Sequence, residues 1–216
     1  MDLSRRLFVT LAAVAQLRSQ AHKSRPRLSA AESLKDLMDG NERFRTGQPI
    51  SPRRSPADFS SVAVHQAPHA VVIACSDSRV PPEILFDQGV GDLFVIRVAG
   101  NLVNQAEAGV IGSMAFAVLV LGAPLIMVLG HSNCGAVEAA INGTKDSLPA
   151  SIRRLVGMVE TGSQRDLAQA IAANVRAGVA GAKGIEPNIN RLVQKDQLKV
   201  VGAVYDLASG RVSAVS

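Results

Sequence analysis

Ala70-Val71-Val72-Ile73-Ala74-Cys75-Ser76-Asp77-Ser78-Arg79 is the stretch on which the fold turns. An apolar run too short for a helix stops at a cysteine, an acid and a base. The run is continuous rather than alternating, which suits a strand covered on both faces. Three more runs of this kind follow: Leu93–Val98, Leu125–Leu129 and Val200–Val204. Helical patterns separate them. Leu167, Ile171, Val175 and Val179 recur every four residues and mark a helix with one apolar stripe. Ile185–Val193 reads as a shorter helix, and Asp206–Gly210 as a turn into a last strand, Arg211–Val215. Upstream, Ser29-x-x-Glu32 is a capping box opening a helix to about Phe44, with Leu34, Leu37 and Met38 on its inner face. Ser51–Ser61 reads as a polar, proline-containing loop. The alternation predicts an α/β fold: a mostly parallel central sheet of four to five strands flanked by helices, with right-handed crossovers and an N-terminal helical arm, in a single domain over residues 29–216.

Composition excludes several classes. The 216 residues are 47% apolar and 19% charged, which rules out a disordered chain. Aromatics are 3%, with no Trp and one Tyr, too few for a base-stacking nucleic-acid platform. The net charge of +5 is all N-terminal: residues 1–30 hold six basic groups (Arg5, Arg6, Arg18, Lys23, Arg25, Arg27) and one acid (Asp2). The remaining 17 basic and 17 acidic residues cancel, so the globular part is neutral by formal count and a basic nucleic-acid groove loses most of its support.

That N-terminus reads as an address. Ser4-Arg5-Arg6-Leu7-Phe8 precedes an apolar stretch from Phe8 to Ala15, and Ser19-Gln20-Ala21 offers small residues for cleavage. Residues 1–28 thus resemble a twin-arginine signal peptide and linker, which predicts a periplasmic or otherwise exported protein. The alternative is a basic N-terminal helix on a cytoplasmic protein. A second apolar segment, Ala108–Gly130, has no charged residue and is long enough to span a bilayer, but Gly122-Ala123-Pro124 breaks it. It reads as a buried helix over about Gln105–Leu121 followed by the strand Leu125–Leu129, so no stable membrane insertion is expected.

Ligands of open α/β sheets gather at the carboxyl ends of strands, where the strand order reverses. Two strand ends carry unusual chemistry: Cys75-Ser76-Asp77-Ser78-Arg79, and Gly130-His131-Ser132-Asn133-Cys134-Gly135. If the two strands are neighbours, Cys75, His131 and Cys134 converge. Two thiolates and an imidazole make a tetrahedral zinc site with one open position, the pattern of a catalytic rather than a structural site. Inert packing of the cysteines, or a disulfide between them, are the alternatives. A cysteine-phosphatase loop fails, because it needs five residues between Cys and Arg and only three separate Cys75 from Arg79. An Asp beside an Arg stays ionised, so Asp77 could orient a metal-bound hydroxide.

Cys-Ser-Asp-Ser-Arg followed about fifty residues later by His-x-x-Cys-Gly resembles the β-class carbonic anhydrase family. The likeness extends from Leu34-Lys35-Asp36-Leu37-Met38-Asp39-Gly40-Asn41-Glu42-Arg43-Phe44 to Tyr205-Asp206-Leu207. The resemblance implies one Zn2+ per chain held by Cys75, His131 and Cys134, and a catalytic dyad of Asp77 and Arg79. It implies reversible hydration of carbon dioxide to bicarbonate and a proton through a zinc-bound hydroxide. It also implies Gln66 as a hydrogen-bond donor to substrate, Gly135 where backbone approaches substrate, and Phe94 and Phe116 as aromatics lining the pocket of a neighbouring subunit. The active unit would then be a homodimer or homotetramer. Phe116 stands where the family often has Tyr, and Ala115 where an acid is common, which bears on pocket polarity more than on the reaction. His65 and His69 are candidate proton shuttles. If Asp77 swung from Arg79 onto the metal, it would fill the open position. Two other functions fit the same residues: hydrolysis of carbonyl sulfide or carbon disulfide, or a noncatalytic zinc-stabilised scaffold.

Overall fold

The computed structural model describes residues 27–215; the twin-arginine motif read from the sequence lies outside the described residues. Helix α1 (Ala30–Arg45) opens on the expected capping box. The Ser29 hydroxyl accepts from the Glu32 N–H at 3.2 Å, and the Glu32 carboxylate accepts from the Ser29 N–H at 2.7 Å. Asn41, buried in its last turns, ties the helix to the body. Its Nδ2 donates to Leu85 O and Gly210 O, and its Oδ1 accepts from the Val212 N–H.

The segment expected to be a loop contains a helix, α2 (Pro56–Val62). Ser55 and Asp58 cap its start and Pro56 occupies the first turn, where a missing N–H removes nothing. The polar composition hid this start signal. Then follow β1 (Ala70–Ala74), the single turn α3 (Pro82–Leu85), β2 (Leu93–Arg97), a 3-10 turn (Ala99–Asn101) and α4 (Ala108–Ala115). The apolar helix expected over Gln105–Leu121 begins three residues later and widens into a π turn at Phe116–Val120. Gly122, at φ +77°, ends it before β3 (Leu125–His131). Among the described residues no helix is long and apolar enough to cross a membrane. The chain continues through α5 (Gly135–Ile141), α6 (Ala150–Val156), α7 (Leu167–Gly184), α8 (Pro187–Gln194), β4 (Lys199–Tyr205) and β5 (Val212–Val215).

The five strands form one sheet in the order β2-β1-β3-β4-β5. The first four are parallel and β5 is antiparallel to β4. β1 and β3 lie in the middle and are buried at every residue, which is why their sequences are continuously apolar. β2 departs from the expectation of cover on both faces. It is the edge strand, and only Ile96 of its residues is fully buried. Successive residues of the central strands feed two cores. Val71, Ile73, Ile126 and Val128 pack with α4, α7 and α8, while Val72, Ala74, Met127 and Leu129 pack with Leu37 of α1 and Leu85 and Phe86 at α3.

Glycines let α7 lie close on its face of the sheet. A Cβ at Gly181 would stand 2.4 Å from Val103 O, one at Gly178 2.9 Å from Val128 Cγ1, and one at Gly202 2.7 Å from Val175 Cγ1.

On the other side, Asp87 carries a buried charge. Its carboxylate accepts from Arg43 Nε at 2.7 Å and from the N–H groups of Ile50 and Ser51, both at 2.9 Å. Burial pushes its pKa up, but the Arg43 guanidinium and the two N–H groups outweigh this, and the net shift is downward from the ordinary Asp value. A depressed folded-state pKa contributes stability above the unfolded value that is lost as pH falls through the folded one. Asp87→Asn is therefore expected to lose about 3 kcal/mol in urea titrations at neutral pH. Its deficit against the wild type should narrow once pH drops below about 4.

Candidate active site

The chain runs from β1 outward to β2 and then returns to lay β3 on the other side of β1. The strand order reverses there, and a crevice opens at the carboxyl ends. The register pairs Ala74 with Leu129, so Cys75 stands level with Gly130, one residue before His131 at the end of β3. A turn with Asn133 at φ +55° then brings Cys134 back to the head of α5. One ligand atom from each of Cys75, His131 and Cys134 lies within 4.8 Å of the others, and all three residues are buried. This is the one group of its kind found among the described residues. Both cysteines are free thiols, so the disulfide alternative is not what the fold makes.

The His131 ring is oriented for ligation. Nδ1 lies 2.9 Å from the Ser132 carbonyl oxygen, which can only accept, so Nδ1 carries the proton. In the neutral ring Nε2 is then a bare lone pair, and it is buried and without a hydrogen-bond partner. An orphaned imidazole nitrogen beside two thiols is a donor set that fits zinc, and a backbone carbonyl on the far nitrogen is its usual support. The loop is held from below as well. Ser132 N–H donates to Tyr205 O, and its Oγ donates to Asp206 Oδ1 and accepts from the Leu207 N–H.

The electrostatics favour anionic sulfur. The Cys75 thiol is pulled down, first by the hydrogen bond from Cys134 and also by His131 and the Gly100 N–H, against the opposing pull of burial. Cys134 is pushed up by the same contact with Cys75 and by burial. The contact between the two thiols favours a single negative charge on the pair, and a dication would displace the remaining proton. Burial disfavours the charged His131 ring, but the adjacent Cys75 outweighs it and the net shift is upward.

Asp77 and Arg79 form the expected pair. Arg79 Nε donates to Asp77 Oδ1 at 2.9 Å and Nη2 to Oδ2 at 2.7 Å, and the Arg79 N–H adds a third bond to Oδ1. The Arg79 guanidinium holds the Asp77 carboxyl far below the usual carboxylate range. Asp77 Oδ2 lies 3.8 Å from His131 Nε2, beside the three ligand atoms but engaged by Arg79. Sequence reasoning missed Arg97. Its Nε donates to Cys75 O at 3.1 Å and its Nη2 to Asp77 O at 2.5 Å, fastening the loop that carries both residues. The signal was available: a lone base inside the otherwise apolar run Leu93–Val98, near its carboxyl end.

Gly135 heads α5 and lines an apolar groove of about 540 Å³ together with Ala99, Ala136, Ile152 and Leu155. The other proposed pocket residues are not brought to this cluster within the chain. Gln66 is exposed in the loop before β1, at the opposite end of that strand from Cys75. Phe94 lies on edge strand β2 opposite Val71, and Phe116 ends α4. Their ring centroids are 6.5 Å apart, and Phe116 is 43% exposed. His69 is buried beside Gln88, also before β1, and His65 is half-buried near it.

Comparison with known proteins agrees with this arrangement. The family model described as carbonic anhydrase matches residues 70–212. Carbonic anhydrase 2 of Mycobacterium tuberculosis is 38% identical over 195 residues, covering 86% of this chain and 93% of its own. The carbonic anhydrase of Pseudomonas aeruginosa is 39% identical over 196 residues, covering 84% and 87%. Among solved structures, the β-carbonic anhydrase CcaA superposes with a TM-score of 0.67 at 29% identity, covering 84% of this chain and 86% of that one. The Coccomyxa β-carbonic anhydrase in complex with acetazolamide gives 0.67 at 28% identity, with the same coverage.

Proposed function

The chain belongs to the β-carbonic anhydrase family, and from that premise we propose that it hydrates carbon dioxide reversibly to bicarbonate and a proton at a zinc ion held by Cys75, His131 and Cys134. The observation that carries this is the unpartnered, buried His131 Nε2 between two thiols and beside an ionised Asp77–Arg79 pair. When bound there, zinc would acidify a water molecule and so supply a nucleophile near neutral pH.

The protein's own groups do the rest. Asp77, kept ionised by Arg79, accepts a hydrogen bond from the nucleophile at a carboxylate oxygen and fixes the direction of its attacking lone pair. Arg79 engages both Asp77 carboxylate oxygens and would so keep them from an ion bound beside them. Arg97 holds the carbonyls on either side of Ser76, so the ligand and the dyad move as one loop. The groove beside Gly135 offers an apolar approach for a nonpolar gas.

Asp77→Ala is expected to retain zinc at about one ion per chain while hydration slows about a hundredfold in stopped flow. Cys134→Ser should lose the metal by elemental analysis. Wild-type hydration rates in Asp77→Ala, or full zinc in Cys134→Ser, would overturn the assignment. Carbonyl sulfide and carbon disulfide run in the same assay test whether the site prefers another linear substrate.

We also propose that the active unit is at least a dimer. Gln66, Phe94 and Phe116 sit away from the chain's own cluster, with β1 itself, about 16 Å of extended chain, between Gln66 and Cys75. They can serve a site only if a neighbouring copy places them there, and the exposed Phe116 ring on the β2 edge is the surface to do so. Phe116→Arg is expected to yield monomers in sedimentation velocity and to lower hydration. A variant that stays dimeric and fully active would contradict this arrangement.

Export is the third proposal, supported by Arg5-Arg6 and the apolar stretch that follows. Replacing both arginines by lysine should move the protein from the periplasmic to the cytoplasmic fraction on immunoblots. An unchanged distribution would contradict a twin-arginine route.

A further inference from the structure

Cys75 Sγ receives a backbone hydrogen bond from the turn that follows β2. The Gly100 N–H, in the 3-10 turn after β2, lies 3.3 Å from the sulfur and is buried with it. Gly100 is at φ +77°, a conformation open to glycine, so its own backbone preference does little to fix the direction of this N–H. A side chain from across the sheet supplies the restraint. Asn174, on α7 and 4% exposed, donates from Nδ2 to Gly100 O at 2.8 Å. Its Oδ1 accepts from the Glu160 N–H at 3.1 Å, so the amide is assigned one way round and is held at both ends. The close seating of α7 on Gly130 and Gly202 brings Asn174 within reach: a Cβ at Gly130 would stand 2.6 Å from Val175 Cγ2, on the neighbouring residue.

We propose that Asn174 is a positioning residue for the metal centre. It holds Gly100 so that its N–H donates to Cys75 Sγ, and it thereby sets how strongly that sulfur donates to the ion. This rests on the zinc site proposed above. An N–H bond to a ligating sulfur draws charge off it, leaves the ion more positive and fixes the direction in which the sulfur points. Supporting contacts of this kind are worth about 10–100-fold in metal affinity.

The test uses the full chain loaded with zinc or with cobalt(II), whose sulfur-to-metal charge-transfer band reports the donor strength of the thiolates. Asn174→Asp keeps the acceptor for Glu160 but has no donor for Gly100. It is expected to bind zinc at least tenfold more weakly in chelator competition and to shift the cobalt band to longer wavelength. Asn174→Ser, smaller and uncharged, should do the same. A fall in the thermal midpoint of the metal-free protein with band and affinity unmoved would make Asn174 merely structural and overturn the proposal. A direct measurement needs no variant: in wild-type protein loaded with cadmium-113, the Gly100 amide proton should show scalar coupling to the metal, and its absence overturns the proposal. Failure of the wild type to take up zinc or cobalt at all would instead overturn the zinc site itself.

Discussion

Everything at the candidate site depends on the backbone ladder between β1 and β3. Their parallel register sets Ala74 against Leu129 and carries two separate loops to the same height above the sheet. A slip of one residue would turn His131 to the opposite face and leave Cys75 facing backbone. The ladder is secure because both strands are buried on both faces, and any shift would expose apolar side chains on one side or unpair buried N–H groups. The metal ligands therefore need no flexible search. Two thiols and an imidazole are delivered by the ends of two fully buried strands and the helix that follows, as a site requires when its geometry must be held before an ion arrives.

Around that fixed pair of strand ends, charge is arranged to keep groups ionised where burial alone would neutralise them. Asp77 remains a carboxylate because Arg79 answers both of its oxygens. Cys75 leans toward thiolate because Cys134, His131 and the Gly100 N–H all face its sulfur. The two loops are then tied down by contacts that take no part in the chemistry: Arg97 on the carbonyls of Cys75 and Asp77, Ser132 on the turn after β4. Each restraint comes from a different strand end, so the sheet as a whole sets the precision of the site.

The residues divide by which end of the sheet they occupy. The candidate metal ligands, the Asp77–Arg79 pair and Gly135 lie at the carboxyl ends. Gln66 lies before β1, and Phe94 and Phe116 lie on the β2 flank. A parallel sheet cannot bring its two ends together within one chain. The proposed pocket residues at that end therefore belong with the proposed dimer, and the apolar, half-exposed residues of β2 are the surface it would use.

The amino-acid sequence by itself determined the strands, most helices and the three metal-ligand candidates. Each is marked by a local signal: a continuous apolar run, a four-residue stripe, a capping serine, or a cysteine ending a buried strand. It also fixed the Asp77–Arg79 pair, because two residues' separation keeps those side chains within reach of each other. It misjudged α2, whose start signal lay inside a polar stretch, and it took β2 for a covered strand, because its apolar run Leu93–Ile96 looks the same at an edge as in the middle of a sheet. Only the tertiary structure decided which strands are neighbours. It likewise decided that Arg97 and Gly100 reach Cys75, that Asn174 reaches Gly100, and that Gln66 does not lie with its own chain's cluster. Those relations join residues 22 to 74 positions apart. They are set by register and by how closely a helix can approach a sheet, quantities that arise only when separate segments pack together.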